Sequence, residues 1–280
     1  MSALVDPFLD NAFMQRALLA GVLVAIACAV VGTFVVLRGL AFIGDALAHG
    51  VLPGIAGAIL LGLPGMVGAA VGAVVMIGGV TLVTSKSRLS SDTAIGLLFV
   101  GMLAAGVVIV SRSTSFTGDL TRILFGDVLG IGRSDLIVQG VATAGVLVIS
   151  LVCIRPFLLL CFDEEHTCVA GFAARRYHLL QLALIAVTVV VSFQTVGTLL
   201  VFGMLLAPAG AAALVASRVS TMMLIAAVIG SLSIVVGLLI SYHANLAAGA
   251  SVVLVEIAVF FAVLLVVGVR HARRAASVPA

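Results

Sequence analysis

Charge is what this chain has least of. Asp, Glu, Lys and Arg together make 9% of its 280 residues, against about 25% in soluble domains. Hydrophobic residues make 63%, more apolar surface than one soluble core can absorb, so the solvent for most of the chain is a bilayer. Tryptophan is absent and tyrosine occurs twice, which leaves little for an aromatic belt at the interfaces. The only lysine is Lys86, in "LVTSKSRLS", and it does not sit in a G-x-x-x-x-G-K-[ST] loop. The chain therefore has no phosphate loop of its own, and any ATP hydrolysis it depends on belongs to another chain. H-E-x-x-H and G-x-S-x-G are also missing, which removes the usual grounds for an intramembrane hydrolase. A net charge of +3, with the basic residues scattered, gives nucleic acid nothing to hold. Four cysteines do not make a disulfide framework: Cys28 and Cys153 lie in apolar runs, and Cys161 and Cys168, which flank a polar stretch, are expected reduced.

What remains is long apolar runs. Segments of spanning length, about 20 residues, fall at 13–37, 40–62, 64–84, 93–112, 136–159, 177–193, 195–216, 219–241 and 248–269. The expected fold is an all-α polytopic membrane protein of eight or nine transmembrane helices, forming one transmembrane domain over residues 1–280. The second and seventh segments hold Pro and several Gly, so either is a candidate for a broken or re-entrant span. The start, "MSALVDPFLDNAFMQRALLAG", lacks the basic region and cleavage site of a signal peptide, so its apolar run is expected to stay as a span.

With nine spans and the N-terminus outside, one side collects Arg38, Lys86, Arg88, Arg155, Arg175, Arg176, Arg218, Arg270, Arg273 and Arg274. The other keeps Arg16, Arg112, Arg122 and Arg133. The richer side is cytoplasmic by the positive-inside rule, which puts the basic tail, 270–280, in the cytoplasm. "TSFTGDLTRILFGDVLGIGRSD" (114–135) suits a short helix packed at the outer surface. "CFDEEHTCVAGFAARR" (161–176) is cytoplasmic; Asp163 is placed to cap a short helix with Glu164 and Glu165 in its first turn, and Gly171 to stop it. Cys161, Asp163, His166 and Cys168 are all metal ligands by type, but their spacing fits no common zinc pattern.

Two residues of the second span are out of character. Asp45 and His49, in "LRGLAFIGDALAHGVLPGIAG", stand one helical turn apart on one face. Ionisable groups at membrane depth face a bundle interior or a water-filled path. Carboxylate and imidazole together suit Zn²⁺, Mn²⁺ or Fe²⁺, though an Asp–His pair that merely satisfies itself explains them about as well. A two-fold dimer would double the pair into a four-ligand cage, and Gly44, Gly50, Gly54 and Gly57 would allow the close approach. Glu256 is the other intramembrane acid, for which hydrogen bonding between helices is the leading expectation. His243, near the outer surface, is a second possible cation contact but reads more simply as a loop histidine.

The residues then fall into a familiar order. "VVLRGLAFIGDALAHGVLPGIAGAILLG", "TVGTLLVFGMLLAPAGAAALVASR" and "GLLISYHANLAAGASVVL" resemble the signatures of the metal-cation ABC-importer permeases, the ABC-3 family of bacterial zinc, manganese and iron uptake. "FMQRALLAG" and "SSDTAIGLLFVGMLAAGVVIVSRS" look most like zinc permeases of the AztB type. The resemblance implies a multi-pass subunit of the bacterial inner membrane, a homodimer or a pair of close relatives. It would be served by a cytosolic ATP-binding subunit dimer and an extracytoplasmic metal-binding protein, and would hold no permanent cofactor. It places Asp45 and His49 on the translocation path. It also makes 161–176 the helix that couples to the ATPase, through Asp163, Glu165 and Gly171, with Thr167 standing where the family has alanine. Asn245 stands where many relatives have Asp, so no metal contact is expected there. Zinc is the expected cargo. On residues alone a proton-coupled secondary transporter, with a relay of Asp45, His49 and Glu256, and a scaffold whose polar residues only specify packing, both stay open.

Overall fold

The computed structural model describes residues 11–111 and 130–276. Arg112, Arg122, most of the 114–135 segment and the last four residues of the tail lie outside them. Helix α1 (Ala12–Leu37) is apolar on every face and buried along most of its length, as expected of a helix surrounded by others. Its 26 residues reach about 39 Å at 1.5 Å per residue, enough to cross a bilayer. It ends in a Schellman motif: Gly39 takes φ +65°, its N–H donates to the Val36 carbonyl, and Leu40 N–H donates to Val35. Only glycine adopts that backbone cheaply.

The second span is broken. Helix α2 (Ala41–Gly50) and helix α3 (Leu52–Leu60) are separated by Val51, because Pro53 has no N–H to give the His49 carbonyl. Helices α4 (Gly65–Lys86) and α5 (Ser91–Ser111) pack beside the broken pair. The α3–α4 contact is backbone to backbone, since a Cβ at Gly54 would strike the Gly68 carbonyl and one at Gly68 the Gly54 carbonyl. Close approach at small residues is the usual source of helix association in lipid, where no hydrophobic effect drives it.

The segment read as one span at 136–159 is two helices, α6 (Arg133–Val152) and α7 (Ile154–Phe162), with a corner at Cys153. Pro156, just inside α7, cannot continue the α6 hydrogen-bond ladder. Helix α8 (Glu164–Val169) is the short helix expected there. Helices α9 (Ala174–Val196) and α10 (Thr198–Ala213) turn at Gly197, φ +81°. Helices α11 (Val219–Ala244) and α12 (Ala248–Ala276) finish the bundle, joined through Asn245 at φ +52°.

Among the described residues eight spans are long and apolar enough to cross a membrane. Helix α10 is the ninth apolar element and, at 16 residues, about 24 Å long. It runs beside α1: Leu200 shares a cavity with Ala17 and Gly21, while Ala209 and Ala212 pack on Ala29. The turn at Gly197 therefore lies beside the 17–21 stretch of α1, short of that helix's N-terminal end. Gly32 meets the Leu205 carbonyl so closely that no Cβ fits, which seats α10 against the central helix. Between α1, α6 and α9, Gln139 donates to Thr143 and Ser192, and Thr143 donates to the Leu23 carbonyl. These bonds place buried polar groups as interhelical glue.

Candidate functional site

Asp45 and His49 occupy successive turns of α2, just before the break. His49 Nε2 lies 3.3 Å from Asp45 Oδ1, and the side chains are 26% and 32% exposed respectively. The imidazole also meets the Phe99 ring of α5 edge-on, with centroids 5.8 Å apart. Behind the pair, Gly44 lets Phe202 and Leu205 of α10 approach. One side of the pair is thus fixed by packing and the other is open. Among the described residues no third His, Cys, Asp or Glu joins them to make a metal cluster.

The glycines around the pair are used differently from the expectation. Gly44, Gly50 and Gly54 are taken up inside the chain, against Leu205, Met76 and Gly68 respectively, and only Gly57 faces open space. The stripe builds this chain's own bundle first.

Glu256 is fully buried on α12. Among the described residues neither of its oxygens has a hydrogen-bond partner, so the expected interhelical hydrogen bond is not made. Gly203 of α10 opens the space it fills: a Cβ there would stand 3.1 Å from Glu256 Oε2. His243 is exposed on the last turn of α11, donates from Nδ1 to the Leu239 carbonyl and packs on Tyr242. It is not brought together with Asp45 and His49.

Segment 161–176 has the local form the sequence implies. Asp163 Oδ1 accepts the Glu165 N–H at 2.7 Å, and its Oδ2 lies 2.8 Å from His166 Nδ1. The hydrogen bond from His166 and then that from the Glu165 amide hold the Asp163 carboxyl below the usual carboxylate range. Thr167 is fully buried and donates to the Asp163 carbonyl at 2.8 Å. Its hydroxyl is absorbed inside the helix, which explains why threonine is accommodated. Gly171 has φ +85°, and the chain turns there.

Arg38 went unremarked in the sequence except as a positive charge. Its Nη1 donates to His178 Nδ1 and to Gln181 Oε1, each at 2.9 Å, and its Nη2 lies 3.7 Å from Glu164 Oε1. Partners 140 residues away leave no local signal.

Residues 10–267 match the ABC 3 transport family. The chain belongs to that family. Among its relatives, the manganese transport system membrane protein MntC of Listeria innocua is 38% identical over 259 residues, covering 92% of this chain and 91% of that one. A probable iron transport system membrane protein of Haemophilus influenzae is 39% identical, covering 92% of this chain and 94% of that one. The solved structure of PsaBC from Streptococcus pneumoniae in complex with Fab superposes with a TM-score of 0.83 at 33% identity, covering 93% of this chain and 94% of that chain. This ABC 3 protein is a multi-pass membrane permease subunit of a bacterial ABC transporter, all-helical among the described residues as expected. Membership sets aside the secondary-transporter and scaffold readings.

Proposed function

We propose that this permease imports a divalent first-row metal cation, Mn²⁺ or Fe²⁺, with Asp45 and His49 as its ligands on the path. The observation that carries the reading is the pair itself: a carboxylate and an imidazole one turn apart, 3.3 Å from each other and half-open, on the broken span of an ABC 3 chain. A carboxylate oxygen and a neutral imidazole nitrogen serve both ions. The curated relatives cited above carry manganese and iron names, as does the chelated iron transport system membrane protein YfeD of Yersinia pestis, 37% identical. None of those cited carries a zinc name, so the preference for zinc drawn from imidazole chemistry gives way here to manganese or iron.

Two ligands do not hold a cation through dehydration, and the open side of the pair supports completion by a second copy about a two-fold axis. The working complex is then a homodimer with two ATP-binding subunits, which the missing phosphate loop requires, and an extracytoplasmic metal-binding protein that delivers the ion. The segment of Asp163, Glu165 and Gly171 is the contact to the ATPase. Binding at the pair must be transient, because an ion held too tightly does not leave.

The test is uptake of radioactive manganese into proteoliposomes holding the permease, its ATPase and its binding protein, with Fe²⁺ and Zn²⁺ as competitors. ATP-dependent uptake that Fe²⁺ suppresses more strongly than Zn²⁺, and that His49→Ala abolishes at matched assembly, is the expected result. Uptake unchanged in His49→Ala removes the pair from the path, and stronger competition by Zn²⁺ restores zinc.

A further inference from the structure

The ATPase-facing helix α8 and the ligand-bearing helix α2 both meet one corner of the fold, and that corner is Arg38. The guanidinium belongs to the residue that caps α1, the last side chain before the chain turns through Gly39 into α2. It is 11% exposed while its partner Glu164 is 65% exposed. Its Nη1 is fixed by two acceptors on α9, His178 Nδ1 and Gln181 Oε1. Accepting at Nδ1 requires the neutral imidazole with its proton on Nε2. Nη2 is left to face Glu164, the first residue of α8.

A second line of contact reaches the same turn of α1 from the other end of α8. Phe172 packs edge-on against Tyr177 at 5.6 Å, Tyr177 against Phe157 at 6.3 Å, and Phe157 against Phe34 at 5.3 Å. Phe34 belongs to the turn that Arg38 closes, since Arg38 N–H donates to the Phe34 carbonyl. Segment 163–172 is thus joined at both ends to the last turn of α1, seven residues before Asp45.

We propose that Arg38 is a positioning residue for transport, holding α8 to the α1–α2 corner so that movement of the ATPase against α8 is delivered to the helix bearing Asp45 and His49. This rests on the reading of α8 as the ATPase contact and of the pair as the ion's ligands. An exposed ion pair is worth little by itself. The planar fork matters because it ties α8 to two acceptors on α9 and to the corner at once, which an ammonium on a flexible stem does not reproduce.

The experiment measures manganese ions imported per ATP hydrolysed by the reconstituted complex, with ATPase rate and subunit stoichiometry recorded for each variant. Arg38→Gln is expected to keep assembly and hydrolysis and to lower the ratio by about 2- to 30-fold, the span of mutational effects on coupling networks. Arg38→Lys is expected to fall with it. Glu164→Gln is expected to lower the ratio less, and the double variant to be no worse than Arg38→Gln alone, as partners on one path are non-additive. An unchanged ratio in Arg38→Gln overturns the proposal, as do losses that multiply in the double variant. Should Arg38→Gln fail to assemble, Glu164→Lys, on an exposed side chain, sets a like charge against Arg38; a lowered ratio supports the proposal and an unchanged one overturns it. A wild-type complex that hydrolyses ATP without importing manganese, iron or zinc refutes the transport reading itself, and this inference falls with it.

Discussion

Gly32→Ala probes the closest contact of the central helix. A Cβ there lands on the Leu205 carbonyl oxygen, with the Leu205 carbonyl carbon next nearest at 3.0 Å. The obstacle is main chain inside α10, so no rotamer change relieves it and the two helices must separate. Overpacking a filled core costs about 1–3 kcal/mol, and a backbone obstacle belongs at the upper end. Alanine returns about 1 kcal/mol of helix propensity over glycine. The net expectation is a loss of about 2 kcal/mol, which for a chain of this size lowers Tm by about 4–8 °C. Gly78→Ala is the control, because nothing lies within 4 Å of a Cβ at Gly78; it makes the same chemical change in a helix interior and is expected to hold or raise Tm. With no tryptophan to report, melting is followed by far-ultraviolet circular dichroism of purified protein in detergent. A Gly32→Ala protein as stable as wild type, or a Gly78→Ala protein equally damaged, would refute the packing argument.

Further outcomes are expected elsewhere. Glu256→Met removes a buried acid with no partner among the described residues, so it is expected to raise Tm by a few degrees in the same assay, unmet buried polar groups costing about 1–3 kcal/mol; a fall would show that the carboxyl is satisfied. Because the folded Asp163 carboxyl titrates below its usual range, the cap of α8 is fully present above the ordinary aspartate range and is lost as pH falls through the depressed value. Protection of the Glu165 amide against hydrogen exchange should therefore persist at the ordinary aspartate pKa and disappear only below it. Cys168 is exposed and Cys28 buried, so a membrane-impermeant maleimide should label Cys168 in inside-out vesicles and not in intact cells, and should leave Cys28 untouched. Labelling of Cys168 from outside would invert the orientation.

The spans were legible because a bilayer imposes a simple condition, about 20 apolar residues per crossing, and the runs around α1, α4, α5, α9, α11 and α12 meet it. The break in the second span was legible too, since Pro53 and its glycines stand in the sequence. The corner at Cys153 was missed although Arg155 and Pro156 mark it, because the apolar run resumes directly after them and keeps the whole stretch at spanning length. Asp45 and His49 stood out as ionisable groups one turn apart. What hydropathy does not encode is which helices meet, and so the hold of Arg38 on α9 and the solitude of Glu256 were invisible. The glycines near Asp45 show the same limit: a small residue announces a close approach without naming the partner.

The backbone seam between Gly54 and Gly68 has a consequence for biogenesis. The span of α2 and α3 has a mean hydropathy of 1.5, the lowest of the eight. Asp45 stands about one turn inside this span, where a carboxylate still raises the insertion cost, by less than the ~2.5–3.5 kcal/mol it adds at a span's centre. Left to partition alone, this is the segment a translocon has most reason to reject. Helix α4 follows it after four residues with a mean hydropathy of 2.2 and presents the bare backbone that α3 fits. The two are therefore expected to enter the bilayer as a hairpin, the apolar helix carrying the polar one. Substitutions at Gly68, far from Asp45 and His49 in chemistry, should first appear as chains with the wrong topology.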